Sequence, residues 1–150
     1  MNYNKSSHFL KFSWEFRKAY NNLFNQIREE ADLTQNEIDV LLFLNNNAHL
    51  DTATDIVNYR AMSKSMISKS VNSLHEKKYL TYETDKSDKR SIHLKLEEAV
   101  APVIEKLEKI QRQFFSTLVK GIAKEEIETV KRVFNKIYEN IMDLTTERDN

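Results

Sequence analysis

Apolar positions along this chain keep a helical period, switch to a strand period, and then return to a helical one. Between Ser7 and Ala31, Phe9, Phe12, Phe16, Ala19/Tyr20, Leu23 and Ile27 recur at steps of three and four, the stripe of one amphipathic helix. Trp14, Tyr20 and Phe24 widen that stripe, so the helix needs partners on more than one side. Leu33-Thr34-Gln35-Asn36-Glu37 reads as a helix start: the Thr34 hydroxyl caps the amide three residues on, and the Glu37 side chain returns the bond. Ile38, Leu41, Leu42 and Leu44 follow, and Asn45-Asn46-Asn47 ends the helix, because asparagine tolerates turn conformations. Thr52 and Asp55 repeat the cap and open a short helix through Ile56 and Val57. The next helix begins near Ser63, with Met66 or Ile67, Val71 and Leu74 facing inward and Ser65, Ser68, Lys69 and Asn72 outward. It carries serine at 65, 68, 70 and 73 although serine competes for backbone hydrogen bonds in helix interiors. Small polar side chains at that density imply close approach to another body.

Alternation then replaces the helical period. Tyr79-Leu80-Thr81-Tyr82-Glu83 is β-prone, and Ser91-Ile92-His93-Leu94-Lys95-Leu96 places Ile92, Leu94 and Leu96 on one face and His93 on an exposed opposite face. The polar stretch between them projects as a loop with the tip Asp85-Lys86-Ser87-Asp88-Lys89-Arg90. From about Glu98 to Val119, Val100, Val103, Leu107, Ile110, Phe114 and Leu118 restore the helical period, with Pro102 in the first turn and Gly121 as the stop. From about Lys124 to Thr145, Ile127, Val130, Phe134, Ile137, Ile141 and Leu144 form a heptad seam, and Val133 and Tyr138 add a second line. The predicted fold is mainly α with a small β-hairpin wing: one domain over residues 1–150, with a winged helix-turn-helix at about 34–96 flanked by long helices at about 7–31 and 98–146. The flanking helices carry more apolar surface than the winged unit covers. A second copy of the chain is the economical partner, since symmetric dimers are the commonest oligomers; a monomeric helical domain is the alternative.

One glycine and one proline in 150 residues exclude barrels and sandwiches, which need turn residues at each corner. With no long apolar run, no basic-then-apolar leader and no cysteine, the expected setting is cytoplasmic, without membrane span or disulfide. The net charge is zero, but the cations are not evenly spread. Residues 60–95 hold nine cations against four anions, whereas residues 1–59 hold five against eight. A basic face on a neutral protein is what attraction to phosphate requires. A helix with small polar and cationic side chains enters a major groove, and a cationic loop beside it reaches the backbone or minor groove. Ser63, Lys64, Ser65, Ser68, Lys69 and Asn72 on the helix, with Lys86, Lys89 and Arg90 on the loop, are therefore the candidate DNA-contacting residues, and Asp88 belongs to the same loop site without favouring DNA directly. No catalytic site is expected: there is no glycine-rich phosphate loop and no nucleophile elbow. His8, His49, His75 and His93 are scattered without ligand spacing, so neither a metal nor a cofactor is predicted.

Leu33-Thr34-Gln35-Asn36-Glu37, the helix Ser63 to Leu74, and Asp88-Lys89-Arg90-Ser91 followed by Ile92-His93-Leu94-Lys95-Leu96 occur in an order and spacing that resemble the MarR family of transcriptional regulators over about residues 7–146. Two places depart from that family's pattern: Leu96-Glu97-Glu98-Ala99-Val100 stands where a Leu-Thr-x-x-Gly turn is usual, and Lys78-Tyr79 where Gly or Asn often follows the recognition helix. The resemblance implies a dimeric repressor on double-stranded DNA, reading a pseudo-palindrome, with Arg90 in the minor groove and Asp88 orienting the wing. It also implies a small aromatic or anionic effector, for which Phe12, Phe16 and Tyr20 are the candidate contacts. The competing reading, kept open by the neutral charge, is a winged-helix dimer that binds another protein without specific DNA binding.

Overall fold

The structure, a computed structural model, describes residues 6–60, 62–84 and 92–146. In chain order it contains α1 (Ser6–Asn22), α2 (Asn25–Glu30), α3 (Gln35–Asn46), α4 (Ala53–Arg60), α5 (Lys64–Glu76), β1 (Leu80–Thr84), β2 (Ile92–Leu96), a 3-10 turn (Glu98–Val100), α6 (Ala101–Leu118) and α7 (Lys124–Thr146). This is the helical fold with one antiparallel hairpin that the periodicities predict. The chain divides into two compact units, one ending at Phe114 and the other beginning at Phe115.

In the first unit α3 is central. From Glu37 to Leu44 every residue but Asp39 is buried, the pattern of a helix covered on all sides. Around it the core collects Phe24, Ile27, Ile56, Ile67, Leu74, Leu80, Leu94 and Leu107. Both predicted caps are present. Thr34 Oγ1 accepts from the Glu37 amide at 3.3 Å while Glu37 Oε2 accepts from the Thr34 amide at 2.6 Å. At α4, Thr52 Oγ1 accepts from the Asp55 amide at 3.2 Å and Asp55 Oδ2 accepts from the Thr52 amide at 3.0 Å. At the start of α6, Glu97 makes no side-chain cap and the 3-10 turn precedes the helix.

The single helix predicted over 7–31 is two helices. The amides of Leu23 and Phe24 donate to carbonyls three residues back, on Tyr20 and Asn21, and this tighter turn rotates Phe24 off the stripe into complete burial. No glycine or proline marks the break; the burial of Phe24 accounts for it.

Helix α5 ends in a Schellman arrangement: the Tyr79 amide donates to the Leu74 carbonyl and the Lys78 amide to the His75 carbonyl, both at 2.9 Å. Lys78 therefore sits at φ 60°, in the left-handed region that suits glycine. Lys78→Gly is expected to raise stability by about 1 kcal/mol, since the strain relieved exceeds the added freedom of the unfolded chain. A melting temperature a few degrees higher checks this; an unchanged or lower one refutes it.

In the second unit α7 follows Gly121, at φ 80°, and exposes the whole predicted seam beyond Ile127: Val130, Phe134, Ile137, Ile141 and Leu144 are each about half exposed or more. In the first unit, the start of α1 exposes Phe9, Leu10, Phe12 and Trp14. Among the described residues no helix is long and apolar enough to cross a membrane.

Candidate nucleic-acid interface

Ser63 opens α5 as its N-cap, its Oγ accepting from the Met66 amide at 3.3 Å. Ile67, Ser70, Val71 and Leu74 are buried, while Ser63, Lys64, Ser65, Ser68, Lys69 and Asn72 are all exposed, as predicted. Of the two alternatives for the inward position, Ile67 faces in and Met66 is 43% exposed. The serine-rich composition has two origins. Ser65 and Ser68 are on the outer face; Ser70 is buried, and Ser73 donates to Glu37 at 2.7 Å. Half of the small polar residues thus serve close packing within the protein itself.

Glu37 anchors α5 to α3. Its carboxylate, 1% exposed, accepts from the Thr34 amide, from the Ser73 hydroxyl and from Lys77 Nζ at 3.0 Å. Lys77 Nζ also donates to the Asp32 carbonyl. Burial pushes the Glu37 carboxyl up, but the hydrogen bonds from Thr34, Ser73 and Lys77 outweigh it and leave the group below the ordinary carboxylate value. Nearby Asp39 goes the other way: burial raises its carboxyl, partly offset by Arg60 and Gln35.

The hairpin pairs Leu80 with Leu96, Tyr82 with Leu94 and Thr84 with Ile92, so these six share one face. Leu80 and Leu94 are buried in the core. Farther out, Ile92 is 52% exposed, because the strand runs past the end of the core. Tyr82 reaches α5: its hydroxyl donates to Asn72 Oδ1 at 2.8 Å and its ring lies 4.6 Å from that of His75. His75 Nδ1 is 3.1 Å from the Leu80 carbonyl. The exposed position predicted for His93 is corrected: it is half-buried, with Nδ1 2.6 Å from Asp51 Oδ1. Thr52 bridges His93 in antiparallel fashion, and the Leu94 amide donates to the Asp51 carbonyl at 2.7 Å. The wing base is thereby joined to α5 on one side and to the start of α4 on the other. A groove of about 330 Å³ runs between α4, α5 and the hairpin, floored by Val57, Ile67, Val71 and Leu94 and rimmed by Lys64 and Asn72. Lys86, Asp88, Lys89 and Arg90 lie outside the described residues.

The candidate effector residues fall in an aromatic row along α1. Phe12 is 62% exposed, with its ring 6.1 Å from Phe16. Phe16 and Tyr20 are stacked at 6.3 Å, and each meets Phe114 of α6. The Tyr20 hydroxyl accepts from Gln111 Nε2, and burial raises its phenol above the ordinary value despite that bond.

The pattern of apolar positions does not reveal Tyr82, Asp51, Ser73 or Lys77 as parts of this surface. Their partners are 10 to 42 positions away in sequence. Only Glu37 carries a local signal, as the third residue of a capping box.

A protein-family model described as MarR family matches residues 31–91. That segment is similar to the MarR family. The matched segment contains α3, α4, α5 and β1 and ends just before β2. Three solved structures resemble this chain over nearly its full length. A complex described as S. aureus MepR with DNA shares 22% identity, covering 93% of this chain and 96% of that one at TM-score 0.72. A MarR protein from Peptoclostridium difficile shares 18%, covering 95% and 93% at TM-score 0.77. Bordetella bronchiseptica BpsR, described by the regulation of its DNA binding by 6-hydroxynicotinic acid, shares 18%, covering 90% and 99% at TM-score 0.66. At these identities the likeness establishes the fold.

Proposed function

We propose that this chain is a dimeric transcriptional repressor that binds double-stranded DNA. The observation that carries the reading is the outer face of α5, where Ser63, Lys64, Ser65, Ser68, Lys69 and Asn72 are exposed together on a helix locked to the core through Glu37. Short hydroxyl and amide side chains suit base edges in the major groove, and the two ammonium groups suit phosphates or guanine acceptors. The resemblance of Asp88-Lys89-Arg90 to the family's wing supports Arg90 in the minor groove with Asp88 orienting it, and Lys86 and Lys89 on phosphates. Two such units related by a two-fold read half-sites about one helical turn, roughly 10 bp, apart. The α7 seam supports a second copy as the partner, because exposed apolar surface of that extent marks an association face. BpsR, whose DNA binding is described as regulated by 6-hydroxynicotinic acid, supports release by a small aromatic or anionic compound, with Phe12, Phe16 and Tyr20 as its contacts.

The test is fluorescence anisotropy on DNA from upstream of the chain's own gene, against a scrambled duplex, over a range of salt. Selective binding with a steep salt dependence is expected. Equal, weak binding to both duplexes favours the protein-interaction reading. Lys69→Gln is expected to lower the salt slope by about one phosphate contact, and Arg90→Ala to weaken binding with a loss of preference for A·T at the flanks. An unchanged affinity in Arg90→Ala removes that residue from the interface.

A further inference from the structure

We propose that Tyr82 is a positioning residue that fixes the Asn72 amide with Nδ2 outward, so that each recognition helix selects a hydrogen-bond acceptor at one base and rejects cytosine there. The inference rests on the DNA reading above and adds a base preference and the residue that sets it. Asn72 is exposed on the outer face of α5, at the edge nearest the wing, and its Oδ1 accepts from the Tyr82 hydroxyl at 2.8 Å. Tyr82 is itself restrained. Its ring lies 4.6 Å from that of His75, His75 Nδ1 is 3.1 Å from the Leu80 carbonyl, and the strand pairs Tyr82 with buried Leu94.

An asparagine amide presents a donor on one side and an acceptor on the other, and a half-turn about its terminal torsion exchanges them. On an open helix face both orientations are available, and asparagine can pair bidentately with adenine. With Oδ1 held toward the wing, Nδ2 is the atom left to meet DNA. It finds acceptors at N7 and O6 of guanine, N7 of adenine and O4 of thymine. Cytosine offers only the N4 amino donor in the major groove, and two donors facing each other do not bond. Preorganisation also spares the ordering of one side chain on binding, which corresponds to an affinity gain of a few-fold to about tenfold.

The experiment uses the full chain and the tightest duplex that it recovers from a randomised duplex pool, with single-base variants of that duplex. Affinities are compared for the wild type, Tyr82→Phe, Asn72→Ala and the double variant. Tyr82→Phe keeps the ring and loses only the hydroxyl, and a thermal melt confirms that it stays folded. We expect Tyr82→Phe to bind the selected duplex about 3- to 10-fold more weakly, with an unchanged salt slope. It should also tolerate cytosine at one position per half-site that the wild type rejects. Asn72→Ala should lose all preference at that position, and the double variant should be no weaker than Asn72→Ala. Wild-type selection with full preference retained in Tyr82→Phe overturns this inference alone, as does a Tyr82→Phe loss that persists in the Asn72→Ala background. Failure of the wild type to select any duplex overturns the DNA reading and this inference together.

Discussion

Glu37→Ala is expected to destabilise the chain by about 3 kcal/mol and to lower its melting temperature by roughly 10 °C, as followed by circular dichroism. The substitution removes more than one contact. It leaves the Lys77 ammonium without its carboxylate, and the Ser73 hydroxyl and Thr34 amide without an acceptor, at a place where the side chain is almost fully buried. Unpaired buried donors cost more than the bonds that they once made. Lys77 is 26% exposed, so water relieves part of its loss and places the effect at the lower end of the range for broken buried pairs. A change below about 1 kcal/mol would show that the cluster behaves as a surface pair. The same group sets a pH dependence. Its folded carboxyl lies below the ordinary value of 4.5, so its stabilisation is complete above about pH 4.5 and is lost as the pH falls further through the folded value. Asp39 has the opposite sign: its raised carboxyl opposes folding when ionised, and acidification relieves it. Glu30 and Glu108 are also lowered, by bonds from Lys106 and from Asn45, but at the surface. Glu37→Gln separates the contributions, because it deletes the Glu37 titration and leaves the others in place.

The second large effect concerns the seam of α7. Phe134→Asp combined with Ile141→Asp is expected to weaken self-association at least 100-fold, giving a monomer at micromolar concentration in analytical ultracentrifugation. Phe134 is 55% exposed and Ile141 50%, so the charges enter water in the monomer and helix content is kept; they oppose only the association. Operator affinity should fall by a factor of 100 or more, since two half-sites then bind separately. A variant that stays dimeric would place the interface elsewhere, and a wild-type monomer at the same concentration would remove the dimer from the proposal.

What could be read from the chain divides by the range of the interaction. Thr34 with Glu37 and Thr52 with Asp55 are three residues apart, so spacing alone identifies both caps. The outward set of α5 was legible because a 100° step per residue decides it once Ile67, Val71 and Leu74 are placed inside. The break at Leu23-Phe24 was not legible, because it depends on a core pocket for Phe24 built by residues far along the chain. Ser73 and Asn72 are adjacent, polar and indistinguishable by pattern. One is tied inward by Glu37 and the other outward by Tyr82, and only the folded arrangement separates them. The exposed placement of His93 failed for a similar reason. Strand alternation assigns faces correctly but says nothing about what lies along the strand's edge, where Asp51 waits.

That edge has a consequence beyond recognition. Strand β2 is five residues long, with β1 along one side and the Asp51-Thr52 segment along part of the other. Two residues of connecting chain thus occupy main-chain positions through which a foreign strand could add. Stacking of one wing on another, the usual hazard of a short hairpin in a crowded solution, is obstructed at that edge by backbone pairing rather than by charge repulsion.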